Sequence, residues 1–548
     1  MSRPPGVGSP ARNGILTAAG VRYAPAARGA SRIHRAAPER RAARALGAAL
    51  VWLGTTLAAP ADGRAQAVPR FASPHVPPDH WAMAAAARLA GLGLAPPGFG
   101  WGERSLTRRE LASVLRVAAE RATDRAPRYA ALARGYLLRF TEEFGPTAEA
   151  AAEDDPRGLR RTGGSLDAGF DRRVGVLLGG IGYDNATDWT GPLPAGDVST
   201  ALAGGSLTVA AFPHVALRLA AELRARGSRV RAAEATVALR DVGLWLGRRR
   251  VGFGPGAGGG IVLSGASALD GAGIHLIDPV TLPGWLGRLG PVRFQAAITR
   301  VRNGDRIRDP WLWAARFAFA PHPRLHLGLS RAVMFGGEGN APWTLRNLAF
   351  TLIGKHSGAM GEFDNQVFAL DAHYRPPVDA LPLVLYLEWG IDDSAGAIKD
   401  VPAIVAGLFV PALPGSPEVS LRIERTSFAA ACCGNTIWYR NWAFRGGWTD
   451  AGRPLGHPLG GHGREWLAEV RADLNDARVR IAAGGRLRRR GAENLFAPDR
   501  QGASTSAWIA AGFRASADLE LAVTGTLEHG DRGWRQSAVD VDLRWLFR

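Results

Sequence analysis

The chain has 548 residues and a formal net charge of +18 carried mostly by arginine, with 70 glycines and 17 tryptophans but only 2 cysteines. No segment after residue 60 reaches the ~18 uninterrupted apolar residues of a membrane helix, so residence in a bilayer has to come from strands. Cys432 and Cys433 are adjacent, a poor structural bridge with no metal-ligand spacing, and no helix-turn-helix, zinc-finger or RNA-binding signature accompanies the basic charge. Nucleic acid is therefore not an expected partner. An anionic surface polysaccharide or lipopolysaccharide phosphate is, the alternative being a genomic bias towards arginine.

Residues 1 to about 39 show no periodicity. Arg40, Arg41 and Arg44 then precede an apolar run over 45–59, followed by the small residues Ala61, Gly63 and Ala65. That order predicts a secretory signal peptide within residues 1–66, cleaved near Ala65 or Ala67. The long basic head points to a start codon downstream of Met1.

Residues 74–122 read as a helical module. Asp79 is placed to cap a helix running to Leu89, which Gly91 and Gly93 end. Thr107 and Glu110 have the capping-box spacing, and Leu111, Val114, Leu115 and Ala118 share one face of the helix that follows. The segments VPPDHWA (76–82), LAGLGL (89–94) and LTRRELA (106–112) resemble one S-layer homology (SLH) repeat, a module that holds surface proteins to cell-wall polymers. The resemblance implies packing by Trp81, glycan binding by Arg108, and a tether to peptidoglycan or an associated wall polymer. Residues 123–160 add an amphipathic helix, with Leu132, Tyr136 and Phe140 at helical spacing, and an acidic linker over 148–156.

From about residue 164 the period falls to two. Val215, Leu217, Leu219 and Leu223 alternate with Arg218, Glu222 and Arg224, and a turn at Gly227 and Ser228 is expected to start the return strand. The pattern recurs at 292–302, 312–320, 324–334, 367–374, 383–390, 419–425, 466–474, 479–488, 507–515 and 519–529. In the final segment Val539, Val541, Leu543, Trp545 and Phe547 face one way, and Asp540, Asp542 and Arg544 the other. Short turns at 321–324 and 515–518 alternate with long glycine-rich loops, the plan of bacterial outer-membrane proteins. At ~9–11 residues per crossing, residues 164–548 allow about 16–20 strands, with about 18 favoured. An arginine in mid-bilayer on the lipid face costs about 2–4 kcal/mol, so the strand arginines are expected to face inward. The fold class is mainly β: a closed antiparallel transmembrane β-barrel with a small N-terminal α-helical domain.

Two stretches break the alternation. Segment 246–264 (LGRRRVGFGPGAGGGIVLS) is glycine-rich but lacks a Gly-Lys-Ser/Thr end, so its glycines are read as letting backbone fold tightly in the lumen beside Arg250. In 435–464, Trp438, Tyr439 and Arg440 precede His457 and Arg464. Rings that stack on pyranose faces beside groups that bind uronates suit a sugar platform, an interfacial aromatic girdle being the alternative. No Gly-x-Ser-x-Gly, His-Glu-x-x-His or clear carboxylate pair is present, so neither an enzyme nor a cofactor or metal is expected.

The segments RVGFGPG (250–256), IVLS (261–264), SRAVMFGG (330–337), ERT (424–426), WYR (438–440) and GRPLGHPLG (452–460) resemble the Wzi family of outer-membrane capsule assembly proteins. The resemblance implies a plugged barrel acting as a lectin for capsular polysaccharide. Candidate polysaccharide contacts are Arg250, Trp438, Tyr439, Arg440, His457 and Arg464. The expected function is thus non-enzymatic binding of capsular polysaccharide at the outer membrane, with a periplasmic wall tether; a porin-like channel or exporter for anionic solutes is the alternative.

Overall fold

The computed structural model describes residues 72–144 apart from 100, 101 and 103 and, between 163 and 547, the strands and most of their connections; stretches such as 341–362, 393–401 and 429–437 are outside it. The expected signal peptide, the acidic linker, Cys432 and Cys433 all lie outside the described residues.

Alternating apolar and polar residues build one sheet of 19 strands. One of these is the two-residue strand Val280–Thr281, which lies beside Pro291–Arg300. Gly163–Gly175 pairs antiparallel with Val198–Phe212 on one side and with the last strand, Arg535–Phe547, on the other. The long strands between them pair with their neighbours in chain order, so that Ser264–Leu276 lies beside Pro291–Arg300 and Leu519–Gly530 beside Arg535–Phe547. Short turns join such pairs as Trp311–His322 with Leu325–Phe335 and Gly502–Arg514 with Leu519–Gly530. Gly227 and Ser228, expected as a turn, instead pair with Arg224 and Leu223 inside the ladder. Ala403–Val410 was not singled out by alternation because it is apolar on both faces, and Ser264–Leu276 because its small residues carry little contrast.

The two faces of the sheet are inverted relative to a soluble protein. Leu527 is 65% exposed while its neighbour Glu528 is 6% exposed. Leu219, Leu387, Ile509 and Leu543 are likewise exposed, whereas Glu222, Arg316, Asp371, Glu388, Glu424 and Glu465 are buried. Buried charge is costly unless paired and hydrogen-bonded, and several of these groups are: Arg316 binds Asp371 through two nitrogens, one at 2.9 Å, and Arg488 binds Glu465 and Glu528. The expectation that the strand arginines face inward fails at Arg248, Arg300, Arg425, Arg464, Arg489 and Arg535, which lie on the outer face. They sit near the long-loop ends of their strands, where the cost of a lipid-side cation falls to about 0–1 kcal/mol.

Among the described residues, three α-helices precede the sheet: α1 (Trp81–Gly91), α2 (Arg108–Arg125) and α3 (Ala130–Phe144). The capping box forms as its spacing predicts, Glu110 accepting from the Thr107 amide at 2.5 Å and the Thr107 hydroxyl from the Glu110 amide at 3.3 Å. α1 is capped by His80, whose Nδ1 accepts from the Ala82 amide, and not by Asp79. Leu89, Leu111, Leu115, Tyr136 and Phe140 make the helical core. The unit docks at the short-turn end of the sheet, where Arg88 donates to the carbonyls of Pro411 and Pro417 and Arg139 to that of Ala477. No helix among the described residues is long and apolar enough to cross a membrane.

Candidate functional site

At the other end, two loops pack against the buried, charged face of the sheet. Strand Val242–Gly252 runs into the glycine-rich loop, in which Phe253, Ile261 and Val262 are wholly buried. Its amides cannot all pair within so tight a turn, and strand carboxylates take them. Glu424 accepts from Ala257 and Gly258 at 2.6 and 2.9 Å and from the Tyr386 hydroxyl at 2.8 Å, and Glu388 accepts from Ile261 at 3.1 Å.

The second loop locks onto the first. The Tyr439 amide donates to Asp392, its hydroxyl donates to the Ile261 carbonyl at 2.6 Å, and the same hydroxyl accepts from the His457 amide at 3.0 Å. Trp448 donates to the Val262 carbonyl at 2.9 Å, and Ser264 donates its amide to Leu455 at 2.7 Å. Tyr439 holds φ at +66°, a strained conformation for a bulky side chain that its surroundings must impose. The Leu459 amide donates to His457 Nδ1 at 3.1 Å, so the ring hydrogen is on Nε2, 3.3 Å from the Thr426 hydroxyl. Burial, only partly offset by Glu465, pulls His457 down to about 3 and keeps it neutral near pH 7.

The segments 250–264, 424–426, 438–440 and 452–460 thus meet in one plug. Trp438, Tyr439 and His457 are brought together around Phe428, with ring centroids 5.3, 5.4 and 5.8 Å from it. They are 4%, 0% and 0% exposed, so none offers a face for a sugar to stack on in this conformation. Arg440 is exposed beside them. Arg250 has other neighbours, donating to Asp79 at 2.7 Å and to the Gly265 carbonyl at 2.6 Å, and Arg464 lies on the outer face of the sheet. Of the two expected wall-binding residues, Trp81 is buried and donates to Glu143 at 2.5 Å. Arg108 donates to Thr208 at 2.8 Å and lies 4.3 Å over the Phe144 ring, and burial lowers its pKa to about 9.

Sequence reasoning missed the polar contacts that seat the helices: Arg88 with Asp473 at 2.8 Å, Arg293 with Glu110 at 2.6 Å and Arg544 with Glu143 at 2.7 Å. An arginine set among the alanines of α1 was the available signal for the first. Among the described residues, no cluster of His, Cys, Asp and Glu side chains is arranged to hold a metal ion.

The family described as "Capsule assembly protein Wzi" matches residues 147–537. Among solved structures, the chain is similar to Wzi of Escherichia coli, described as an outer-membrane protein involved in group 1 capsule assembly and a carbohydrate-binding β-barrel. The two are 16% identical over 86% of this chain and 99% of that one, with a TM-score of 0.64. Similarity to OpdL of Pseudomonas aeruginosa is weaker, 11% identity over 71% of this chain and 99% of that one with a TM-score of 0.42, and carries no argument. No curated protein sequence matches.

Proposed function

Because the chain belongs to the family of the capsule assembly protein Wzi, we propose that it is a non-enzymatic outer-membrane β-barrel that binds surface polysaccharide and assists capsule assembly. The observation that carries this reading is the inverted sheet, apolar outside and charged inside, whose first and last strands pair. An edge-free sheet of that kind meets the demand of lipid that every backbone group be hydrogen-bonded within the protein. A closed barrel of 18 long strands accounts for it, the 19 of the sheet less the two-residue one.

The loop plug at one end and the helices at the other favour a lectin over an open channel. Ligand contact falls to Arg440 and the exposed part of its loop, while Trp438, Tyr439 and His457 hold that loop in place. Arg250 and Arg464 are assigned no sugar contact in this reading. Arg440→Ala in detergent-solubilised protein should weaken binding to purified anionic capsular polysaccharide by about tenfold, the loss of one charged hydrogen bond. Undiminished binding removes Arg440 from the site. Steady anion-selective current through planar bilayers would favour the porin-like alternative instead.

The helical unit closes the periplasmic end in this reading, because Trp81 and Arg108 already have partners within the chain. Its SLH-like capping box supports a second role as a wall tether. Deleting residues 74–122 should then abolish pull-down with purified sacculi; pull-down that persists rejects the tether.

A further inference from the structure

We propose that Arg425, Arg464 and Arg489, on three adjacent strands beside Trp466, form a binding site on the outer face of the sheet for the phosphate groups of an outer-leaflet lipid. The inference rests on the membrane placement proposed above.

The register puts Arg464 directly opposite Arg489, and Arg425 opposite Trp466, two residues along the strand from Arg464. All three arginines are exposed, on the same face as Trp466 and Leu487, which are 49% and 58% exposed. Like charges directly opposite in a ladder are destabilising, so this pairing has no structural benefit of its own. Elsewhere the same sheet neutralises an outward arginine internally: Arg248 faces Asp270 and binds it at 2.6 Å. Neither Arg464 nor Arg489 has such an acid, and the Arg425 guanidinium lies 5.2 Å over the Trp466 ring. The acids on these strands, Glu424, Glu465, Glu469 and Asp473, all lie on the opposite face. The outward field is therefore positive.

Position selects the occupant. The patch lies where Val419–Phe428, Gly463–Leu474 and Val479–Arg490 approach the long loops, immediately beyond the apolar Trp466 and Leu487. A cation there meets the boundary between acyl chains and head groups. The planar guanidinium fork suits a phosphate oxygen pair, and three forks within one patch suit a phosphorylated glycolipid better than a zwitterionic one.

The full chain, purified in detergent, is mixed with diphosphoryl lipid A or its dephosphorylated counterpart, and retained lipid is counted by native mass spectrometry. The wild type should retain the diphosphoryl lipid and not the dephosphorylated one. Arg464→Ala/Arg489→Ala should retain it about tenfold less, as expected for lost charged hydrogen bonds. Equal retention of both lipids by the wild type, a step that needs no variant, overturns the proposal. So does equal retention by the double variant, or displacement of the lipid by inorganic phosphate or soluble anionic polysaccharide. A protein that stays soluble without detergent fails the membrane reading itself; one that needs detergent but ignores lipid phosphate fails only this inference.

Discussion

The Tyr439 hydroxyl donates to the Ile261 carbonyl at 2.6 Å, joining two loops 178 residues apart in the chain. Its other lone pair meets the His457 amide, so Tyr439→Phe leaves a buried acceptor and a buried donor unmatched while keeping the ring. The expected loss is about 1–3 kcal/mol, read as a lower unfolding temperature in detergent. Because both loops belong to the plug, bilayer conductance should rise with it. An unchanged unfolding temperature would show that the hydroxyl is not holding the plug together.

A Cβ added at Gly260 would lie 1.7 Å from the Phe253 carbonyl oxygen and 3.0 Å from that of Leu263. Both obstacles are backbone, so no side-chain rotation relieves them. Gly260→Ala should therefore prevent the plug from seating, seen as loss of the compact, heat-modifiable band on a gel. Gly525→Ala is the control: its Cβ would meet only an Ile509 methyl at 3.9 Å, and the variant should fold as the wild type does.

Local chemistry was legible in the sequence where its cause is local. The Thr107 and Glu110 pair forms the capping box its spacing demands, and the strands around 312–334 follow their alternation to within a few residues. Asp79 was misread as a helix cap because its partner, Arg250, is 171 residues away. Trp438, Tyr439 and His457 lie together around Phe428, but aromatic and polar types alone do not tell a surface platform from a buried knot. Arg464 is different. It shares the parity of Trp466, so its outward direction was readable from the sequence, and only the rule that lipid-facing arginine is costly argued against it.

Arg88 gives a sharper test of how the helices are held. It is 2% exposed and donates to Asp473 at 2.8 Å, to Tyr136 at 3.0 Å, and to two carbonyls of the turn at 411–417. Arg88→Met removes the cation bound to Asp473 and should cost about 3–5 kcal/mol, the usual penalty for breaking one side of a buried pair. Limited proteolysis should then cut within residues 92–107 long before the sheet unfolds. Adding Asp473→Asn should restore part of the loss; if it deepens the loss instead, the pair is not what seats α1.

Acid should loosen the helical unit and the loop region in different pH windows. Glu143 is buried, which alone would raise its pKa, but Arg544 and His80 outweigh burial and hold it well below its ordinary 4.5. Its folded pKa is depressed, so its contribution to stability is complete above about pH 4.5 and is lost as pH falls through the lower, folded value. His457 is a base depressed from 6.5 to about 3 by burial, so the unfolded chain takes up a proton that the folded one refuses. Its stabilisation is complete above pH 6.5 and declines from there towards pH 3. His457→Gln keeps an acceptor for the Leu459 amide and should shrink the fall in unfolding temperature between pH 6.5 and 4.5, leaving the more acidic limb as it is. Glu143→Gln should do the reverse, flattening only the limb below pH 4.5. Unfolding midpoints measured across that range in detergent separate the two, and identical profiles for both variants would refute the assignment of either group to its window.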